Sequence, residues 1–165
     1  MSRSMPGLRT LAAAAFLTLG FTLPALAGPP WISIELPANP LDRTTRGAFL
    51  LVHTYHHERM LDMPLQGRAE GMVNGQRRSI ELQFEKTSRD GVFALRRTWP
   101  EQGSWVLVIR TLPEDGGATA LVSIASDGEV RGIKVPSTQY QGYTVPRTVT
   151  PSDVDGALRE LASRD

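Results

Sequence analysis

An antiparallel all-β sandwich is the fold class this sequence predicts, and three observations predict it. Turn pairs built on glycine punctuate the chain at Asn74-Gly75, Asp90-Gly91 and Asp127-Gly128, with Pro100 to Gly103 and Pro113 to Gly117 as further turns. The segments between turns either alternate apolar and polar residues at the strand period, or are apolar at every position, as strands covered on both faces are. No segment of helical period separates two strands, which argues against parallel βαβ units. Taken with a single-domain length, this is the pattern of an immunoglobulin-like antiparallel sandwich of about seven to eight strands with a short C-terminal helix.

The elements follow in order. Trp31 to Leu36 alternates and is broken by Pro37, Asn39 and Pro40, as a first edge strand would be. Ala48 to Tyr55 is apolar on both faces through Phe49, Leu50, Leu51 and Val52. Gln66 to Val73 and Gln76 to Lys86 flank Asn74-Gly75, and Ile80, Leu82 and Phe84 share one face of the second strand while Glu81, Gln83 and Glu85 share the other. Val92 to Trp99 comes next. Trp105 to Ile109, apolar throughout, is expected at a sheet centre with Trp105 in the core, and Trp99 at a packed hairpin end or, beside Tyr55, on a ligand surface. Ala118 to Ala125 and Glu129 to Val135 form the last hairpin. Pro136 to Pro151 is polar and reads as an extended tail; Ser152 is placed to cap a helix whose apolar stripe is Val154, Leu158 and Leu161.

Arg3 and Arg9, the apolar run Leu11 to Leu23 and the small-x-small pattern Ala25-Leu26-Ala27 read as a secretory signal peptide over residues 1–27, cut after Ala27. The domain plan is then a sandwich over 28–135 followed by tail and helix over 136–165. The apolar run is shorter than the roughly 20 residues of a spanning helix, and no later stretch approaches that length, so the mature chain is expected to be periplasmic or secreted and not membrane-spanning. Cleavage leaves 138 residues carrying 16 basic and 17 acidic side chains. Such a balance offers no general attraction for a phosphate backbone, and nucleic acid is excluded as an expected partner. With no cysteine, disulfides, thiolate nucleophiles and Cys-based metal sites are excluded, and stability must come from the core.

Residues 53–63 hold all three histidines and two methionines, Met60 and Met63. An extended strand holds the Cα atoms of His53 and His57 about 13 to 14 Å apart, too far to chelate together. A turn after residue 57 would let His56, His57, Met60 and Met63 converge, with His53 as a further candidate ligand. Imidazole with thioether suits cuprous copper better than zinc. Against this stands ordinary strand-end packing, in which Met60, Leu61 and Met63 plug the open end of the sandwich. No nucleophile motif occurs: Ser79, Ser104 and Ser123 sit within strands, and Glu81 with Glu85 is a solvated strand face. Arg77, Arg78, Arg96 and Arg97 are expected to pair with the outward glutamates across strands. No catalytic residue is assigned.

The run Asp90-Gly91-Val92-Phe93-Ala94-Leu95, followed by Trp99 and by Gly103-Ser104-Trp105-Val106-Leu107-Val108, resembles bacterial envelope domains of the YtkA-like and FixH-like kind. In those a Gly-x-Tyr/Phe strand precedes a Gly-x-Trp-x-Leu-x-Val strand. The resemblance covers about 20 residues directly and extends over Ala48 to Val108 in layout. It implies an immunoglobulin-like sandwich without enzymatic activity, in some cases associated with copper handling, with a Met- or His-bearing loop where His56, His57, Met60 and Met63 fall. It carries over no ligand residue, and a start at Gly28-Pro29-Pro30 departs from copper carriers with a histidine near the amino terminus. Two functions are therefore expected: an envelope module that docks on a protein partner, or a periplasmic copper-binding accessory module using the His/Met cluster.

Overall fold

The computed structural model describes residues 29–36, 41–43, 45–112 and 117–164. The expected leader and its cleavage site lie outside the described residues, as does most of the turn from Pro113 to Gly117. Twelve strands are described: β1 (Trp31–Glu35), β2 (Leu50–His56), β3 (Arg59–Met60), β4 (Leu65–Val73), β5 (Gln76–Glu81), β6 (Phe84–Lys86), β7 (Val92–Leu95), β8 (Ser104–Thr111), β9 (Thr119–Ile124), β10 (Val130–Lys134), β11 (Ser137–Tyr140) and β12 (Tyr143–Pro146), followed by helix α1 (Pro151–Ala162). The first sheet runs β1-β2-β7-β6, with β3 added to the end of β2; the second runs β10-β9-β8-β4-β5; β11 and β12 pair only with each other. In immunoglobulin lettering the sheets are A-B-E-D and G-F-C-C′, with β10 added beyond G.

The expected eight strands become twelve through local events. Gln76 to Lys86 is two strands rather than one: β5 pairs with β4 in the second sheet, and after Leu82 and Gln83 the chain crosses to pair as β6 with β7 in the first. Leu82, buried, donates its N–H to the Gly67 carbonyl at 2.9 Å and marks the crossing. The face pattern of residues 80–85 survives because both strands pack on the same core. The tail is also more ordered than its composition suggests: Pro136 to Pro146 forms a hairpin about Gln141-Gly142, both with positive φ (48° and 84°). Glutamine at the first turn position hid the turn signal, which is strongest with asparagine or aspartate there.

Side chains from the two inner faces make one core, including Ile32, Leu50, Val52, Leu95, Trp105, Leu107, Ile109, Val122 and Ile124. The uninterrupted apolar run of β8 has a direct cause: Trp105, Leu107 and Ile109 enter this core, while Val106 and Val108 turn outward under α1. Across from Trp105 stands Gly71. A Cβ at position 71 would lie 2.3 Å from a Trp105 ring atom, so the indole occupies the space a side chain would need. Trp99 is core as well, edge-on to Phe49 with ring centroids 5.1 Å apart, and has no place beside Tyr55.

The helix cap is Thr150, not Ser152, because Pro151 takes the first helical position, where its missing N–H costs nothing. Thr150 and Asp153 form a capping box, and Arg147 clasps Asp153 with two bonds of 2.7 and 2.8 Å. Val154, Ala157, Leu158 and Leu161 pack on Val106, Val108 and Leu121, so the helix closes the outer face of the second sheet. Arg77 extends the attachment by bonding Asp155 at 2.6 Å and Glu70 at 3.2 Å, while Arg96 pairs with Glu85 as expected of a cross-strand ion pair. No described helix is long and apolar enough to cross a membrane.

Gly71→Ala is expected to lower the unfolding free energy by about 1–3 kcal/mol, because the added methyl must displace Trp105; equilibrium urea unfolding measures it. Burial pushes the Glu70 carboxyl up, but hydrogen bonds from Ser79, Arg68 and Arg77 outweigh that and hold it below its ordinary 4.5. Asp153 is held below its ordinary 3.8 by Arg147 and by Thr150. Both groups are depressed in the folded state, so their stabilisation is complete above the ordinary carboxylate range and is lost as pH falls through the lower folded values. The melting temperature should therefore show no loss from these two groups between about pH 7 and 5 and should fall below about pH 4, less steeply in Glu70→Gln.

Candidate functional site

Strand alternation in β1, Trp-Ile-Ser-Ile-Glu, sends Ile32 and Ile34 to the core cluster and Trp31, Ser33 and Glu35 to the outer face of the first sheet. Antiparallel register sets Trp31 opposite Tyr55, Ser33 opposite His53 and Glu35 opposite Leu51. Beyond Tyr55, β3 brings Met60 into the same row. The outer face therefore presents Trp31, Tyr55 and Met60 side by side, with Trp31 and Tyr55 half-buried and Met60 exposed. Pro29, Trp31, Ser33, Tyr55 and Glu58, with Thr144 from the β11–β12 hairpin, line an open cleft of about 500 Å³ here.

Behind the cleft the rings are fixed in series. His53 is buried, and its Nε2 lies 2.8 Å from Glu35 Oε2, to which Arg89 also approaches at 3.7 Å. His53 Nδ1 is buried and has no hydrogen-bond partner among the described residues. Tyr55 lies nearly parallel to that ring, 12° between planes and 6.4 Å between centroids, with its hydroxyl 3.5 Å from Ser33 Oγ.

The turn from β2 to β3 is strained. His57 and Glu58 have φ of 52° and 61°, a left-handed pair of the kind that hairpins usually build from asparagine and glycine. Each such residue carries a cost of about 1–2 kcal/mol, sustained only where neighbouring contacts over-determine the backbone. Those contacts follow at once. Leu61 N–H donates to the Thr54 carbonyl at 3.1 Å, and the Thr54 hydroxyl donates to the Leu61 carbonyl at 2.5 Å. Asp62 accepts from Lys86 and, at 2.8 Å, from the Gly91 N–H; the lysine first and then the amide hold its carboxyl below 3.8. Gly91 itself cannot be replaced, since a Cβ there would lie 2.8 Å from Leu61 N and Thr54 O.

The same register separates the expected metal ligands. His56 pairs with Arg59 and Tyr55 with Met60, so His56 and Met60 leave the ribbon on opposite faces. Met63 is buried, and His53 is committed to Glu35. His56 and His57 do meet, their rings stacked 4.0 Å apart at 21°. The tight turn after residue 56 thus brings the two imidazoles together and sets Met60 on the face opposite His56. Among the described residues no group of three or more His, Asp or Glu is placed to hold a metal ion.

Comparison with family models, with curated proteins and with solved structures finds no match. The site is read from its geometry. Sequence reasoning assigned no site role to Trp31 or Glu58 and gave Tyr55 one only as an alternative, beside Trp99. Yet a signal was there: in Trp-Ile-Ser-Ile-Glu the tryptophan falls on the polar face with Ser33 and Glu35, an unusual place for a core aromatic. His57→Gly should raise the unfolding free energy by about 0.5–1 kcal/mol, the relieved strain less the entropy that glycine adds to the unfolded chain. Thermal unfolding of the two proteins side by side measures it.

Proposed function

We propose that this chain is an exported, non-enzymatic interaction module of the cell envelope that receives an extended segment of a partner protein along β1. The observation that carries the reading is the contrast among the four end strands of the two main sheets. β6 is three residues long and ends in Glu85 and Lys86; β5 carries Arg77, Arg78 and Glu81; β10 carries Arg131 and Lys134 and a register shift between Val130 and Gly132. Charge, brevity and bulging are the devices by which edges resist pairing. β1 has none of them along Trp-Ile-Ser-Ile; its single charge, Glu35, stands at its end. Pro29 and Pro30 precede the strand without interrupting it.

An added strand would satisfy the outward backbone groups of β1, while its alternate side chains lay against the row of Trp31 and Tyr55. Main-chain bonds then supply affinity and the cleft supplies selectivity. The exposed residues nearby in sequence, Met60 and Leu61, add apolar surface to the same region.

Selection of nine-residue peptides from a random display library against the protein, followed by hydrogen exchange on the best binders, tests this. Slowed exchange of the outward-facing amides of Ile32 and Ile34 is the expected result, with binding weakened at least about tenfold when the peptide amides that would pair with β1 are N-methylated, which removes the strand donors. Selected peptides that slow exchange only elsewhere, or a selection that yields no binder, would reject strand addition at β1.

A further inference from the structure

We infer that the cleft beside β1 is a receptor for a cationic side chain, so that the extended segment taken up along the strand carries a lysine or arginine opposite Trp31; the inference rests on the strand-addition reading and names its specificity. Three independent features of the cleft converge. Its walls are aromatic: Trp31 and Tyr55 are half-buried cross-strand neighbours, and indole and phenol faces attract cations through their negative quadrupoles. Its charge has one sign. Among the described residues no Lys, Arg or His lines it, whereas Glu58 does, and Glu58 makes no ion pair there. Glu35 is taken by His53 and Arg89, so Glu58 is the carboxylate left to meet a guest.

The third feature is the backbone that delivers Glu58. Its φ of 61° places it in a region that glycine occupies freely and glutamate does not, and His57 before it is strained in the same way. Strain of this kind persists at sites where a side chain must be held in place. A glycine at position 58 would relieve it and remove the carboxylate together, so stability and recognition are set against each other at one residue.

The remaining lining suits the same guest. Ser33 and Thr144 offer hydroxyl oxygens as acceptors for ammonium or guanidinium hydrogens, and Pro29 adds apolar wall for the methylene stem. A cleft of about 500 Å³ exceeds the volume of one such side chain, leaving room for the backbone that carries it. An acidic guest would meet Glu58 unscreened, and a wholly apolar one would leave the carboxylate and hydroxyls to water alone.

The test uses three nine-residue peptides of alternating Thr and Val that differ only at the central residue, Lys, Gln or Glu, titrated by tryptophan fluorescence at low salt. The Lys peptide should bind about tenfold more tightly than the Gln peptide, with the Glu peptide weakest. That order should collapse to within about twofold in Glu58→Gln and in Trp31→Ala. Glu58→Gly is the folding control: it should unfold at no lower temperature than the parent while losing the preference. Equal binding of all three peptides, or a Lys preference that survives Glu58→Gln, would overturn the cation receptor and leave strand addition standing. Should no peptide bind, tetramethylammonium chloride titrated against the Trp31 indole resonance decides separately: a saturable shift absent with sodium chloride and absent in Glu58→Gln keeps the receptor while strand addition fails, and no shift overturns both.

Discussion

Trp105 lies flat into the space left by Gly71 on the neighbouring strand, and from that contact the rest of the sandwich can be built outward. A tryptophan buries more apolar area than any other side chain, but at a sheet centre it needs room, and a cross-strand glycine is the means of providing it. With the indole seated, its Nε1 donates to the Gln102 carbonyl at 3.0 Å and ties the end of β8 to the turn before it. Leu107 and Ile109 follow into the core at the strand period, and the register of β8 with both β4 and β9 is then determined. The outward residues Val106 and Val108 must in turn be covered, which is what recruits α1. A short helix far from any propensity optimum, with Gly156 inside it, is held by this burial and by its cap rather than by its own sequence.

The first sheet is organised on a different principle. Its inner face belongs to the common core, but among the described residues its outer face carries no helix and only a small cluster of Leu51, Val92 and Ala94 with Ala48. Beyond that cluster the face becomes polar and aromatic: a histidine on a glutamate, a tyrosine parallel to the histidine, a tryptophan beside the tyrosine. Burying His53 with one nitrogen unbonded is tolerable because the other nitrogen meets a carboxylate. The result is a set of rings whose positions are settled by the sheet, ending at an edge that lacks the usual guards against pairing. Among the described residues no strand pairs with the outer edge of β1, and a rigid scaffold with an open edge is what recognition of an extended chain requires.

Residues 56–63 show how one turn can decide between chemistries. The composition of the segment, three histidines and two methionines with His53 included, points toward a soft metal. A two-residue turn at His57-Glu58 pairs Tyr55 with Met60 and His56 with Arg59, so His56 and Met60 stand on opposite faces of a β-ribbon. A longer loop would have left their convergence open. The same turn, by taking a strained left-handed pair, lifts Glu58 to the aromatic cleft. Composition alone is blind to this, because a shift of one residue in a β-hairpin exchanges its faces.

Much of the architecture was legible beforehand. Asn74-Gly75 announced its hairpin because both residues accept positive φ, and the apolar run of residues 105–109 announced a central strand because only a strand covered on both faces can be apolar throughout. Local chemistry decided those features, so local sequence displayed them. The break of Gln76 to Lys86 into two sheets, the hairpin on Gln141-Gly142 and the capping of α1 by Thr150 were less visible, since each depends on which distant strand or side chain the segment meets. The candidate site lies wholly in this second category. Trp31, Tyr55, Glu58 and Thr144 come from three strands and a turn and acquire a shared cleft only through the antiparallel register of β1 with β2 and the placement of the β11–β12 hairpin. By itself the sequence determined an all-β chain with its turns, its central strand and its cysteine-free dependence on core packing; tertiary structure alone decided which side chains share a face, because register and edge exposure are properties of paired strands and not of any one of them.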